Sequence, residues 1–156
     1  MSTTTTVKIS DLESMAGREL GQSDWVEITQ EQVNQFADAT GDHQWIHVDP
    51  EAAKNGPFGG PIAHGYLTLS LLPQLMPQVM SIEDAVMGVN YGVEKVRFTN
   101  PVPVGSRVRL NAKLVGSEPK GAGRLNRIGV SIEIEGQEKP AMIGEVLFLT
   151  FGAPDA

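Results

Sequence analysis

The sequence predicts an α+β domain, one extended stretch and several helices followed by an antiparallel meander. Three observations predict it. From Ala85 onward, four segments separated by turn signals read as strands, two of them alternating apolar and polar residues clearly at 108–114 and 128–134. Ahead of them, the run from Gly65 to Met80 is apolar on almost every side of a helix. A capped amphipathic helix precedes that run. The 156 residues suit a single domain, 1–156, able to bury a core without metals or disulfides.

Residues 2–6 are polar and expected to fray, and residues 1–8 are expected to be disordered. Residues 20–28 read as extended, with Trp25, Val26 and Ile28 as core candidates. Thr29 with Gln32 has the capping-box form, and Val33, Phe36 and Ala37 share the apolar face of the helix that follows. That helix should stop near Thr40-Gly41. A short helix is expected after Asp49 as cap, with Pro50 in its first turn. Asn55 to Pro61 is turn-rich. From Gly65, the residues Tyr66, Leu67, Leu69, Leu71, Leu72, Leu75, Met76 and Val79 predict a helix buried all round, kinked or shortened by Pro73 and Pro77. The four strands are expected over 86–98, 106–118, 124–135 and 141–151. Val108, Leu110, Ala112, Leu114 and Ile128, Val130, Ile132, Ile134 form the inner face, and Arg107, Arg109, Asn111 and Lys113 the wetter one.

Composition excludes several classes. The absence of cysteine removes disulfides, thiolate nucleophiles, Cys-ligated zinc and iron–sulfur clusters. It fits a cytoplasmic protein. No apolar run is long enough to span a bilayer, and the N-terminus lacks the apolar core of a secretory signal. A net charge of −7 argues against a nucleic-acid partner.

The chemistry-bearing residues crowd into one zone. All three histidines, His43, His47 and His64, lie there with Asp38, Asp42 and Asp49. Titratable groups in a Gly/Pro-rich loop beside an apolar helix suggest a site. The plainer reading is that Asp42 caps a turn and His47 makes a structural hydrogen bond. A metal held by His43, His47 and nearby aspartates is disfavoured. The spacing of the two histidines would serve only on a helix, and Gly41 and Pro50 argue against one. There is no G-x-S-x-G elbow, and the glycines at 56, 59 and 60 form neither a P-loop nor a dinucleotide fingerprint.

The stretch Gly41-Asp42-x-x-x-x-His47, then Asp49-Pro50, then Gly60-Pro61-Ile62-Ala63-His64-Gly65, resembles the hydratase motif of MaoC-like dehydratases, the (R)-specific enoyl-CoA hydratases. The fuller run GDHQWIHVDP to GPFGGPIAHGYLTLSLLP, with VNYGVEKVRFTNPVPVGSRVR, looks most like the nodulation-protein-N-like branch. The likeness spans roughly residues 20–150. One departure is Gln44-Trp45, where many hydratases of the family carry Asn-Pro; it bears on substrate preference rather than on the chemistry.

The resemblance implies a hot-dog fold, a five-stranded antiparallel sheet wrapped around a central apolar helix. It implies reversible addition of water to a trans-2-enoyl thioester, with Asp42 and His47 as the catalytic pair and Gly65 as backbone donor to the thioester oxygen. Ile62, His64, Trp45 and Phe58 join Gly65 as oxyanion or substrate-binding candidates. His64 reads chiefly as a residue holding the loop before Gly65, and Trp45 and Phe58 shield the site, line the acyl pocket or belong to the core. The substrate would be a coenzyme A or acyl carrier protein thioester, and the reaction needs no metal or redox cofactor. Arg107, Arg109 and Lys113 could meet coenzyme A phosphates, or simply form a solvated face. A homodimer is expected, because an exposed edge strand is usually paired or covered. Two rivals remain: a hot-dog thioesterase and a non-catalytic acyl-thioester binding protein. Against the first, hot-dog thioesterases resemble one another in placing a carboxylate on the central helix, and Gly65 to Ser81 contains no Asp or Glu; against the second, simple binding needs neither Asp42 nor His47.

Overall fold

A computed structural model describes residues 4–154. In chain order the elements are β1 (Thr5–Val7), β2 (Glu19–Gln22), β3 (Val26–Glu27), α1 (Gln30–Thr40), α2 (Trp45–Val48), α3 (Pro50–Lys54), α4 (Gly65–Ser70) and α5 (Leu72–Val79). Then follow β4 (Met80–Ile82), β5 (Ala85–Arg97), β6 (Arg107–Lys120), β7 (Gly123–Ile134) and β8 (Met142–Gly152). The main sheet runs β2-β6-β7-β8-β5 with every pair antiparallel, and short β3 continues the line of β2 along β6. The four long strands lie within two residues of where the sequence predicts them.

The period-2 pattern puts one face of β6 and β7 into the core. Val108, Leu110, Leu114, Ile128 and Ile132 are fully buried and share one cluster with Leu75 and Val79 of α5. On the opposite face Arg107 pairs with Glu135 at 3.2 Å and Arg109 with Glu133 at 2.9 Å. Trp25 lies beneath the Arg109 guanidinium, 4.2 Å from it, so this tryptophan belongs to the outer face and not to the core. With these arginines held in cross-strand pairs, the solvated-face reading of the stripe is the better one.

Three expectations need correction. Residues 20–28 are two strands, because Ser23 interrupts the ladder: its Oγ accepts from Leu110 N–H at 2.9 Å, where a backbone carbonyl would stand. Disorder through residue 8 does not describe Thr5–Val7, which pairs in parallel with β4 and buries Val7; residues 1–3 lie outside the described residues. The apolar helix, which the expected kink at Pro73 turns into two helices broken at Leu71 because Pro73 has no N–H to give the Leu69 carbonyl, is not buried all round. Leu67, Leu71, Leu72, Leu75 and Val79 face the core, whereas Tyr66 is 71% exposed.

Between α4–α5 and strands β5 and β8 runs an open groove of about 890 Å³, lined by Leu69, Met76, Val89, Tyr91 and Phe148 among others. β5 is the sheet's outer strand on that side, and Val86, Met87, Val89, Tyr91 and Val93 on it are exposed.

Candidate active site

The site is assembled from two segments that flank the central helix. The first leaves α1. Thr29 caps that helix, its Oγ1 accepting from Gln32 N–H at 3.1 Å, and Gly41 ends it at φ 85°, a left-handed turn that glycine adopts without strain. The chain then runs through Asp42, which is half-buried, into the single turn of α2. His47 stands on that turn and is 6% exposed. His43 precedes the turn, so the two histidines do not share a helix, although residues 45–48 are helical where the flanking Gly41 and Pro50 suggested they would not be.

The second segment, residues 61–64, is stitched to the loop before β6. Ala63 N–H donates to the Val102 carbonyl at 2.8 Å, and Val104 N–H to the Pro61 carbonyl at 2.9 Å. It ends at His64, the N-cap position of α4.

These segments bring Asp42, His47 and His64 together, with one donor atom from each within 4.8 Å of the others. His47 Nδ1 lies 2.7 Å from the Ile62 carbonyl. A carbonyl can only accept, so Nδ1 carries the proton and Nε2 keeps a lone pair. The Gln30 amide donates to the His47 carbonyl at 2.8 Å and fixes the backbone of the turn. His64 donates from Nε2 to the Asp42 carbonyl at 3.0 Å, and its ring stacks on His47 with centroids 4.0 Å apart and 24° between planes. His64 is 2% exposed, and burial holds its pKa below the ordinary histidine value.

Three donors so close invite a divalent cation, but the rings oppose one. Nearly parallel stacked imidazoles direct their in-plane lone pairs side by side rather than at a common point, and His47 Nδ1 and His64 Nε2 already serve carbonyls. A hydrogen-bonded water suits the arrangement better. The other metal set read from the sequence is not brought together. His43 donates to Asp38 at 2.9 Å on the surface, an interaction that raises its pKa, and Asp49 caps α3 by accepting from Ala52 N–H at 3.1 Å.

Gly65 is the first residue of α4, where an N–H has no carbonyl within the helix to bond. A Cβ built there would lie 2.8 Å from the Phe98 ring, so only glycine lets that ring rest on the backbone. Ile62 contributes its carbonyl to His47 while its side chain is buried. Trp45 and Phe58 are 47% and 48% exposed, which removes the core reading for both. The Trp45 indole packs on Gly56, where a Cβ would meet it at 2.8 Å. Sequence reasoning missed Phe98, Gln30 and the carbonyl role of Ile62. Phe98 lies within a stretch that carries the family resemblance, but its contact with Gly65 joins residues far apart in the chain.

The fold and the paired Asp–His loop define a hydratase-type hot-dog domain. The chain belongs to the MaoC-like family: the MaoC like domain matches residues 11–135. It is 56% identical over 138 residues to the 3-hydroxyacyl-thioester dehydratase Z of Mycobacterium tuberculosis, covering 88% of this chain and 91% of that protein. It is 46% identical over 142 residues to Nodulation protein N of Rhizobium leguminosarum bv. viciae, covering 87% and 86%. Among solved structures, the unliganded R-hydratase PhaJ1 of Pseudomonas aeruginosa superposes with a TM-score of 0.75 at 22% identity, covering 94% of this chain and 86% of that one; that likeness bears on the fold. No helix among the described residues is long and apolar enough to cross a membrane.

Proposed function

We propose that this protein reversibly adds water to a trans-2-enoyl thioester, giving the (R)-3-hydroxyacyl thioester. The observation that carries the reading is the Nδ1–H···O=C bond from His47 to Ile62, which leaves the Nε2 lone pair as a proton acceptor on a histidine clustered with Asp42. One water gives a hydrogen bond to each acceptor. As its oxygen bonds to the β-carbon, one of its protons passes to the pair and the π electrons move toward the thioester carbonyl. Gly65 N–H stabilises the resulting enolate oxygen, and the same proton then returns to the α-carbon. The elements of one water are added, the thioester stays intact, and no electrons are exchanged with a cofactor. The acyl carrier is coenzyme A or an acyl carrier protein.

The thioesterase reading lacks its carboxylate, since α4 and α5 contain no acid. A homodimer completes the proposal. The exposed β5 edge and its apolar side chains suit pairing with a second copy across the groove. Light scattering showing only monomer would overturn that part. The test of the function is loss of conjugated-thioester absorbance with crotonyl-CoA and longer enoyl-CoAs, with free thiol followed in parallel. Wild type should consume the enoyl group without releasing thiol, and Asp42→Asn should not. Thiol release would favour the thioesterase. No reaction with any chain length, together with saturable acyl-CoA binding, would favour a binding protein.

A further inference from the structure

The two buried histidines are each tied to the other's segment. His47, on the first segment, donates to the Ile62 carbonyl on the second; His64, on the second, donates to the Asp42 carbonyl on the first. Ile62 N–H donates to the Ile46 carbonyl at 3.0 Å and closes the brace. Both acceptors are carbonyls, so each imidazole must present an N–H to its own anchor, Nδ1 in His47 and Nε2 in His64. The second nitrogen of His64, Nδ1, is buried and has no hydrogen-bond partner among the described residues. Protonating it would bury an N–H with no acceptor and set a cation against the His47 ring 4.0 Å away. Phe36 also packs on His64, 4.9 Å between centroids with 52° between planes. An apolar side chain would fill the same space, yet it could not hold the Asp42 peptide.

We infer that His64 is a positioning residue for the hydration step: its hydrogen bond to the Asp42 peptide aims that carboxylate and, by tying the two segments, keeps the Ile62 carbonyl on His47 Nδ1, while its neutral ring holds the plane of His47. This inference rests on the hydratase reading. His64 need not touch the substrate. It acts through the two residues that do, and the neighbouring Gly65 donor follows it directly in the chain.

The test compares His64→Leu, which keeps bulk and loses the donor, with His64→Gln, whose terminal amide can still reach the Asp42 carbonyl. Misplacing a catalytic group by about 1 Å costs on the order of 100-fold. His64→Leu should therefore lower kcat by roughly that factor with KM within about threefold, and His64→Gln should stay within about tenfold of wild type. Equal losses in the two variants, a loss confined to KM, or a folded His64→Leu with kcat near wild type would each overturn the inference. Should circular dichroism show His64→Leu unfolded, His64→Asn takes its place with the same expectation, its shorter amide falling short of that carbonyl. Long-range proton–nitrogen NMR of the imidazoles tests the brace independently of turnover. Wild type should show His47 protonated on Nδ1 and His64 on Nε2. His64→Leu (or His64→Asn) should mix the His47 tautomers, and an unchanged His47 pattern would overturn the inference. A wild type inactive on enoyl thioesters sinks the hydratase reading instead, and the spectra still decide whether the brace exists.

Discussion

Replacing Gly65 with alanine adds one methyl group at a point where the protein has no room for it. The new Cβ would stand 2.8, 2.9 and 3.0 Å from three carbons of the Phe98 ring, closer than real Cβ contacts. Either the ring or the start of α4 must give. The ring is 42% exposed, but the clash includes its Cγ as well as its edge and it packs edge-on against Tyr66, with centroids 5.9 Å apart, so part of the strain falls on the backbone that carries the Gly65 N–H. Overpacking of this kind typically costs about 1–3 kcal/mol of stability. The effect on rate should be larger. Loss of one oxyanion donor lowers kcat by roughly 100- to 1,000-fold. Gly65→Ala is expected toward the lower end, because the N–H is displaced rather than removed. Crotonyl-CoA hydration followed by absorbance measures it, with circular dichroism reporting the folded fraction. Phe98→Ala alone should cost little in kcat, and Gly65→Ala/Phe98→Ala should recover at least about tenfold of the loss, since relieving one shared clash is non-additive. Wild-type kcat in Gly65→Ala, or a double variant no better than the single, would refute the reasoning.

Further outcomes follow from the same geometry. Asp42→Asn and His47→Gln should each lower kcat by on the order of 100- to 10,000-fold while leaving the thermal midpoint close to wild type, as steady-state kinetics and calorimetry will show. His64 has a folded pKa below its ordinary 6.5, so the unfolded chain binds its proton first on acidification: the associated stability is full above about pH 6.5 and falls as pH drops through and below that value. The thermal midpoint of wild type should therefore fall more than that of His64→Gln between pH 7.5 and 5.5; Glu133, held low by Arg109, titrates below 4.5, outside that window. Thr29→Ala removes the side-chain cap of α1 and should cost about 1 kcal/mol, with activity per folded molecule unchanged.

What could be read from the sequence was local, and what could not was tertiary. The inner face of β6 and β7 was legible because half-burial imposes a period of two. The bounds of α1 were legible because Thr29 and Gly41 act on their own turns. Asp42 and His47 lie five residues apart on one loop, so their pairing survived any uncertainty about the fold. By contrast, β1 is a tripeptide with one apolar residue, and its structure comes from pairing with residues 80–82, some seventy-five positions away. The break in 20–28 depends on a serine hydroxyl finding a partner on β6. The circumference of 65–79 reads as buried because Tyr66, Leu69 and Met76 carry the apolar stripe beyond the core-facing side, and composition alone cannot tell which apolar residues the fold leaves open. His64 follows the same rule. Its neighbour Gly65 marks the loop as special, but its bond to Asp42 spans twenty-two positions.

The most direct measurement of the central claim is hydration of crotonyl-CoA in deuterium oxide, with the product analysed by mass spectrometry and NMR. Addition of one water by the Asp42–His47 pair predicts an intact (R)-3-hydroxybutyryl thioester carrying a single deuterium at C2, on the same face as the new hydroxyl. Crotonate and free coenzyme A, with no deuterium at carbon, would contradict it.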